Sequence, residues 1–125
     1  MLTLICGLPN SGKTTYSGNY ENVIHFDGVQ HVTLEEHFAN CHKMVAEARG
    51  DVCVEGVYGS PERRRQLLAA AKNQDKKVCV LITTPYEVCI SRKSKPKFIV
   101  DICRGGFKKP TLDEGWDEII EVDCS

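Results

Sequence analysis

The chain begins with a short apolar run, Leu2–Cys6, that leads directly into Gly7–Thr14, the octapeptide Gly-Leu-Pro-Asn-Ser-Gly-Lys-Thr. This octapeptide matches the pattern G-x-x-x-x-G-K-[ST] in full. Glycines let the backbone curl so that successive N–H groups point inward and form a nest for an anion. A helix beginning near Lys13 would aim the positive end of its dipole at the same place. The pattern therefore predicts a phosphate-binding loop between a buried strand and a helix.

The chemistry of such a loop assigns roles to its residues. Lys13 is expected to reach the β- and γ-phosphates of a nucleoside triphosphate and to act in catalysis, and the Thr14 hydroxyl is expected to ligate magnesium. We therefore predict ATP and Mg²⁺ as the cofactors. The residues predicted to bind the nucleotide are Gly7, Pro9, Asn10, Ser11, Gly12, Lys13, Thr14 and Thr15.

Apolar runs alternate with helical patterns along the rest of the chain, which is typical of a parallel sheet with crossover helices. Lys77–Thr83 is the most apolar run and is expected to be central in the sheet, buried on both faces. Further strands are predicted at Val23–Phe26, Val52–Val54 and Ile119–Val122. We predict an α/β fold, a three-layer P-loop NTPase sandwich of about five mostly parallel strands with helices on both faces.

The helix boundaries have local signals. Thr33 and Glu36 form a capping-box pattern at the start of a helix, which Gly50 is expected to end. Ser60 and Pro61 are typical of another helix start, as a cap and a proline at the first helical position.

The composition limits the classes of function. A length of 125 residues suits one domain, so we predict that residues 1–125 form a single P-loop domain. The net charge of −1 gives no general attraction to nucleic acid, so a polynucleotide would need a local patch. The seven cysteines include no Cys-x-x-Cys pair and are expected to be reduced. With no apolar segment long enough for a signal peptide or a membrane span, we expect a cytoplasmic protein without a membrane partner.

Two acidic residues follow predicted strands, at the sheet edge where the loop lies. Asp27 can accept the proton of an attacking hydroxyl, as a catalytic base, and the alternative is a solvated acid in an Asp-Gly turn. Glu55 is a candidate for the magnesium shell through a water molecule, or for orienting the base. The alternative for Glu55 is a capping or turn carboxylate.

Two arginines are further candidates. Arg92 begins a basic run that extends to Lys97, and an arginine on a mobile lid can neutralise the charge on a transferred phosphoryl group. The alternative for Arg92 is ordinary surface charge. Arg64, in the basic first turn after Ser60, is a candidate contact for a substrate phosphate, although such a turn is more often solvent-exposed.

Taken together, these residues resemble the kinase domain of polynucleotide 5′-kinases. The resemblance rests on Gly7–Thr14, His25–Asp27, Ser60–Arg64, Ser91-Arg92 and Lys109–Trp116. It implies transfer of the γ-phosphoryl group of ATP to a hydroxyl, with the 5′-hydroxyl of a nucleic acid as the expected acceptor. It also implies Asp27 as the general base and Arg92 as the lid arginine. The chain departs from the family near Gln30 and His31, where the family has an arginine that helps to hold the substrate phosphate.

Two alternatives stay open at this point. A kinase of a small hydroxylated molecule, such as a nucleoside, a sugar or a modified base, is favoured by the near-neutral charge and the missing arginine. A non-catalytic nucleotide-binding module would bind ATP without transferring its phosphate. The oligomeric state is not indicated by the sequence.

Overall fold

The computed structural model describes residues 1–26 and 33–125, which contain a sheet of five parallel strands. The strands are β1 (Leu2–Cys6), β2 (Val23–His25), β3 (Val52–Gly56), β4 (Lys77–Ile82) and β5 (Glu118–Val122). Their order is β2-β3-β1-β4-β5, and every neighbouring pair is parallel. Because β1 lies between β3 and β4, its carboxyl end opens where the crossovers change direction. Ligands of open α/β sheets bind at this point.

Five α-helices connect the strands of the described chain. They are α1 (Lys13–Tyr16), α2 (Leu34–Glu47), α3 (Pro61–Ala70), α4 (Tyr86–Ser91) and α5 (Lys97–Gly106), with 3-10 turns at Ser17–Asn19 and Leu112–Glu114. The predicted capping box is confirmed, because the Glu36 N–H donates to Thr33 Oγ1 and the Thr33 N–H donates to the Glu36 carboxylate. The predicted Ser60 cap is also confirmed, since its Oγ accepts from the Arg63 N–H at 3.3 Å.

Apolar side chains cover both faces of the sheet. Helices α2 and α3 pack on one face through residues such as Phe38, Val45 and Leu67. On the opposite face, Tyr16 and Tyr20 pack against the alternate residues of the same strands. Strand β4 contributes to both layers and is an interior strand, as predicted, although β1 takes the middle position. The predicted three-layer α/β P-loop architecture is confirmed.

The structure differs from the sequence prediction at the end of helix α2. Helix α2 ends at Glu47 because Ala48 is already extended, with ψ 133°, so Gly50 lies beyond the helix. Leu34, the first residue of this helix, is 61% exposed. The apolar segment Phe98–Ile102 is part of α5. Among the described residues, no helix combines the length and the apolar character that crossing a membrane requires.

Candidate active site

A cleft of about 1160 Å³ opens at the carboxyl edge of the sheet. The phosphate loop and α1 form one part of its lining, and the ends of β2 and β3 form another. The segment between α4 and α5, together with α5 itself, closes the opposite side. The lining residues are Pro9, Asn10, Gly12, Lys13, Thr14, Thr15, Tyr16, Asn19, Phe26, Glu55, Gly56, Val57, Arg92, Ser94, Lys95, Pro96, Phe98, Ile99, Cys103 and Cys124.

The phosphate loop has the conformation that its sequence predicts. Gly12 has φ 101°, and a Cβ atom there would lie 2.9 Å from Cys124 Cβ, so this position requires glycine. The Lys13 side chain is buried and turns back over the loop, where Nζ donates to the Leu8 carbonyl at 2.8 Å. Thr14 and Thr15 are exposed in the cleft. Because Tyr16 makes the first i→i−4 bond, to Gly12, the amides of residues 13–15 precede the helical bonding pattern and suit an anion.

Gly7 and Ser11 shape the loop from beneath. A Cβ at Gly7 would lie 3.0 Å from both the Ile82 carbonyl oxygen and Ser11 Oγ, so the chain passes too close for a side chain. Ser11 is 1% exposed, and within the described residues its Oγ has no hydrogen-bond partner. A buried hydroxyl without a partner and a glycine-only turn are features of a loop built around an anion, and they fit a bound triphosphate.

Glu55 lies in the cleft as a buried carboxylate. It is 2% exposed and is the β3 residue in register with His25 of β2. The two side chains meet, with His25 Nδ1 at 2.9 Å from Glu55 Oε2. The buried Glu55 carboxylate and the exposed Thr14 hydroxyl line the same cleft, and oxygen ligands of this kind are those that Mg²⁺ prefers, so the donor set fits this ion. Its contact with the magnesium shell stays a prediction.

Phe26 anchors the end of β2 at the cleft. Its N–H donates to the Glu55 carbonyl at 2.7 Å, and its ring stacks on His37 and Phe38 with centroid distances of 4.0 and 4.2 Å. A Cβ at Gly56 would lie 2.9 Å from Phe26 Cβ, so glycine permits this close approach. Asp27, the predicted base, lies outside the described residues, and its role stays a prediction.

Arg92, the predicted lid arginine, lies beside the phosphate loop, and its catalytic role stays a prediction. Its guanidinium donates to the Asn10 carbonyl at 3.0 Å and to the Cys124 carbonyl at 2.6 Å. A Cβ at Gly12 would lie 3.5 Å from Arg92 Nη1, which shows how near the charge is to the loop backbone. The structure thus brings Lys13, Arg92 and Glu55 to one cleft.

Arg64 does not belong to this cleft, and its assignment as a substrate contact is wrong. The side chain is 0% exposed and forms a bidentate ion pair with Glu114, with both N–O distances at 2.8 Å. Its Nη1 also donates to the Tyr58 carbonyl at 2.7 Å. Burial raises the pKa of Glu114, but hydrogen bonds from Arg64 and Trp116 outweigh it, and the net pKa lies below the ordinary value. Because its guanidinium bonds groups inside the protein, Arg64 stabilises the fold and is inaccessible to a substrate phosphate.

Several cleft residues were not predicted from the sequence. Phe98, Ile99 and Cys103 reach the cleft from α5, and Phe98 is 61% exposed. Burial raises the pKa of the Cys103 thiol, and the positive charge of Lys13 offsets part of that increase. The position of α5 at the cleft brings Phe98 into the site. Cys124 reaches the cleft after β5, a position with no sequence signal.

The sheet order and the loop together define a P-loop fold. The structure is similar to a gluconokinase from Sinorhizobium meliloti 1021, with a TM-score of 0.73 and 16% identity over 98% of this chain and 82% of that chain. It is also similar to the crystal structure of APE1195, with a TM-score of 0.59 and 17% identity over 96% of this chain and 83% of that one. Comparison of the sequence with protein-family models and with curated proteins gives no match. These likenesses confirm the predicted P-loop fold, and the finer resemblance to polynucleotide kinases stays a prediction.

Proposed function

We propose that this protein is an ATP-dependent kinase that transfers the γ-phosphoryl group to a hydroxyl of a small molecule. The single observation that carries the proposal is the convergence of Lys13, Thr14, Glu55 and Arg92 on one cleft. A module that only binds nucleotide has no need of an arginine held over the phosphate loop. Phosphoryl transfer uses such an arginine to stabilise the charge on the transferred group.

Each residue has a stated task in this proposal. Lys13 and the amides of residues 13–15 hold the phosphates of ATP, and Thr14 and Glu55 would hold Mg²⁺, Glu55 through a water molecule. Bound Mg²⁺ would neutralise charge on the phosphate oxygens. Arg92 stabilises the charge that spreads over the γ-phosphoryl group as the acceptor attacks. Asp27 takes the proton of the acceptor hydroxyl, a role proposed from its place in the sequence after β2.

The walls of the cleft support a small acceptor. Ligand pockets commonly have volumes of roughly 300–1,000 Å³, so a cleft of about 1160 Å³ suits ATP together with one small partner. Phe26, Val57, Phe98 and Ile99 line it, and these apolar side chains suit the non-reacting part of such a molecule. One structure that shares the fold is a gluconokinase, a kinase of a small hydroxylated molecule. The burial of Arg64 removes one of the contacts that a polynucleotide was expected to use.

The 5′-hydroxyl of a polynucleotide is the second candidate acceptor. Lys93 and Lys95 are exposed in the segment between α4 and α5, and Lys95 lines the cleft. These charges could contact the phosphates of a strand whose end enters the cleft. The two acceptors differ in salt dependence, because each phosphate contact with a single strand adds a slope of roughly −0.7 to the plot of log affinity against log salt.

The test incubates the full chain with γ-labelled ATP, Mg²⁺ and one acceptor at a time. The acceptors are gluconate and other polyols, a set of nucleosides, and a 5′-hydroxyl oligonucleotide. Lys13→Ala and Asp27→Ala should each abolish transfer. Lys72→Ala is the matched control, because Lys72 is an exposed lysine that is not part of the cleft lining.

The expected result is label on a small acceptor, lost in both cleft variants, retained in Lys72→Ala and little affected by added salt. If only the oligonucleotide is labelled, and the labelling falls steeply as salt rises, the acceptor is the 5′-hydroxyl of a polynucleotide and the small-molecule proposal is refuted. ATP binding without transfer to any acceptor, unaffected by Asp27→Ala, would refute the kinase proposal and leave a nucleotide-binding module.

A further inference from the structure

Asn10 connects the phosphate loop to the segment between α4 and α5, residues 92–96, which we term the lid turn. Its Nδ2 lies 2.7 Å from the Arg92 carbonyl, 3.0 Å from the Lys95 carbonyl and 3.1 Å from the Cys89 carbonyl. In return, the Lys95 N–H donates to Asn10 Oδ1 at 3.0 Å. The amide has two N–H donors and meets three acceptors, so two of the carbonyls share one N–H and a single side chain holds the backbone at several points.

Arg92 completes the connection from the other side. Its backbone carbonyl accepts from the Asn10 side chain, while its guanidinium donates to the Asn10 backbone carbonyl. Each residue therefore binds the main chain of the other. This reciprocal pairing places the guanidinium beside Gly12, where a Cβ atom would lie 3.5 Å from Arg92 Nη1.

Besides Asn10, the lid turn is held through the Arg92 guanidinium, which also donates to the Cys124 carbonyl at 2.6 Å. Lys93, Ser94 and Lys95 are all exposed, so burial contributes little to holding them. The two flanking helices are tied to one another, because the Tyr86 hydroxyl donates to Asp101 at 2.5 Å. That bond joins α4 to α5, whereas the Asn10 side chain attaches the turn between them to the phosphate loop.

We propose that Asn10 is a positioning residue that holds Arg92 in its place over the phosphate loop. The inference rests on the proposed kinase function and adds to it a role for a loop position that the motif leaves unspecified. Asn10 has φ 66°, a left-handed conformation that asparagine and glycine adopt most readily. Glycine would satisfy the same backbone but supply no side chain to bind the lid turn.

This difference makes Asn10→Gly a clean perturbation. We expect kcat to fall roughly 10-fold to 100-fold, since misplacing a transition-state group by about 1 Å has effects of that size. The KM for ATP should change less than about threefold, because the loop amides and Lys13 are retained. Asn22→Gly is the matched control, since Asn22 is also left-handed, with φ 52°, and bonds the Asp51 carbonyl outside the cleft.

A double-mutant cycle tests whether Asn10 acts through Arg92. In an Arg92→Ala background, Asn10→Gly should cause almost no further loss of kcat, because the group that it positions is gone. If instead the two single-variant decreases in kcat multiply in the double variant, Asn10 acts on the loop independently of Arg92 and the proposal is overturned.

Limited digestion with trypsin supplies a measurement that does not depend on turnover. Cleavage after Arg92 and Lys93 should be several times faster in Asn10→Gly than in the parent, and unchanged in Asn22→Gly. If the parent transfers phosphate to no acceptor, the kinase proposal fails while this comparison still tests the attachment. Equal cleavage rates in the parent and in Asn10→Gly would overturn the inference even in an active kinase.

Discussion

Replacing Arg64 by methionine tests whether the buried ion pair with Glu114 supports the fold. Methionine keeps most of the side-chain length and removes the guanidinium. The change deletes two charge-assisted hydrogen bonds to the Glu114 carboxylate and one to the Tyr58 carbonyl. It leaves a carboxylate that is almost entirely buried without its cation, since the Glu114 side chain is 2% exposed.

The structure sets the expected size of the effect. Removing one partner of a buried ion pair costs about 3–5 kcal/mol, mainly because the remaining charge loses its compensation. For a domain of this size, each kcal/mol lowers the melting temperature by roughly 4 °C, so we expect a decrease of about 12–20 °C. A typical total stability of about 5–15 kcal/mol makes this a large fraction of the whole.

Urea unfolding of the ligand-free protein, followed by circular dichroism, measures the change in unfolding free energy. Arg65→Met is the matched control, because Arg65 is the exposed neighbour in the same helix, and it should change stability by less than about 0.5 kcal/mol. Adding Glu114→Gln to Arg64→Met should recover part of the loss, since the neutral amide removes the unpaired charge and still accepts from Trp116. Equal midpoints for Arg64→Met and Arg65→Met would refute the reasoning.

The pH dependence follows from the lowered pKa of Glu114. The stability that this carboxylate contributes is present above its ordinary pKa of 4.5 and is lost as the pH falls through the lower folded-state value. The difference in stability between the parent and Arg64→Met should therefore be largest near neutral pH and should shrink below about pH 4.5. A difference that grows on acidification would contradict the assigned pairing.

Three further results are expected. Gly12→Ala should weaken ATP binding at least about 100-fold by calorimetry, because the left-handed backbone and the contact with Cys124 leave no room for a methyl group. Gly18→Ala is the control and should bind ATP normally, since no atom lies within 4 Å of the added Cβ. Glu55→Gln should raise the Mg²⁺ concentration for half-maximal transfer about tenfold, and an unchanged value would exclude Glu55 from the metal shell. Thr84→Val should lower the free energy of unfolding in urea by about 1–3 kcal/mol, because the Thr84 hydroxyl donates to the Ser11 carbonyl and accepts from the Cys124 N–H. A smaller loss would show that this link between the phosphate loop and the C-terminal segment is dispensable.

The sequence alone determined the features that depend on neighbouring residues. The phosphate loop could be placed from its eight residues, because only glycine permits the backbone at Gly12 and a lysine must follow it. The caps at Thr33 and Ser60 could also be predicted, since each side chain bonds an amide three residues away. The strands were found because a parallel sheet buried on both faces needs continuous apolar runs.

Only the tertiary structure decided which distant residues meet. Arg64 pairs with Glu114 across 50 positions of the chain, and a basic helical turn gives no sign that its central arginine faces inward. Asn10 and Arg92 are 82 positions apart, and their contact depends on how α4 and α5 cross the end of the sheet. The physical reason is that buried charges and lid contacts depend on packing between elements, whereas caps and turns depend on the backbone beside them.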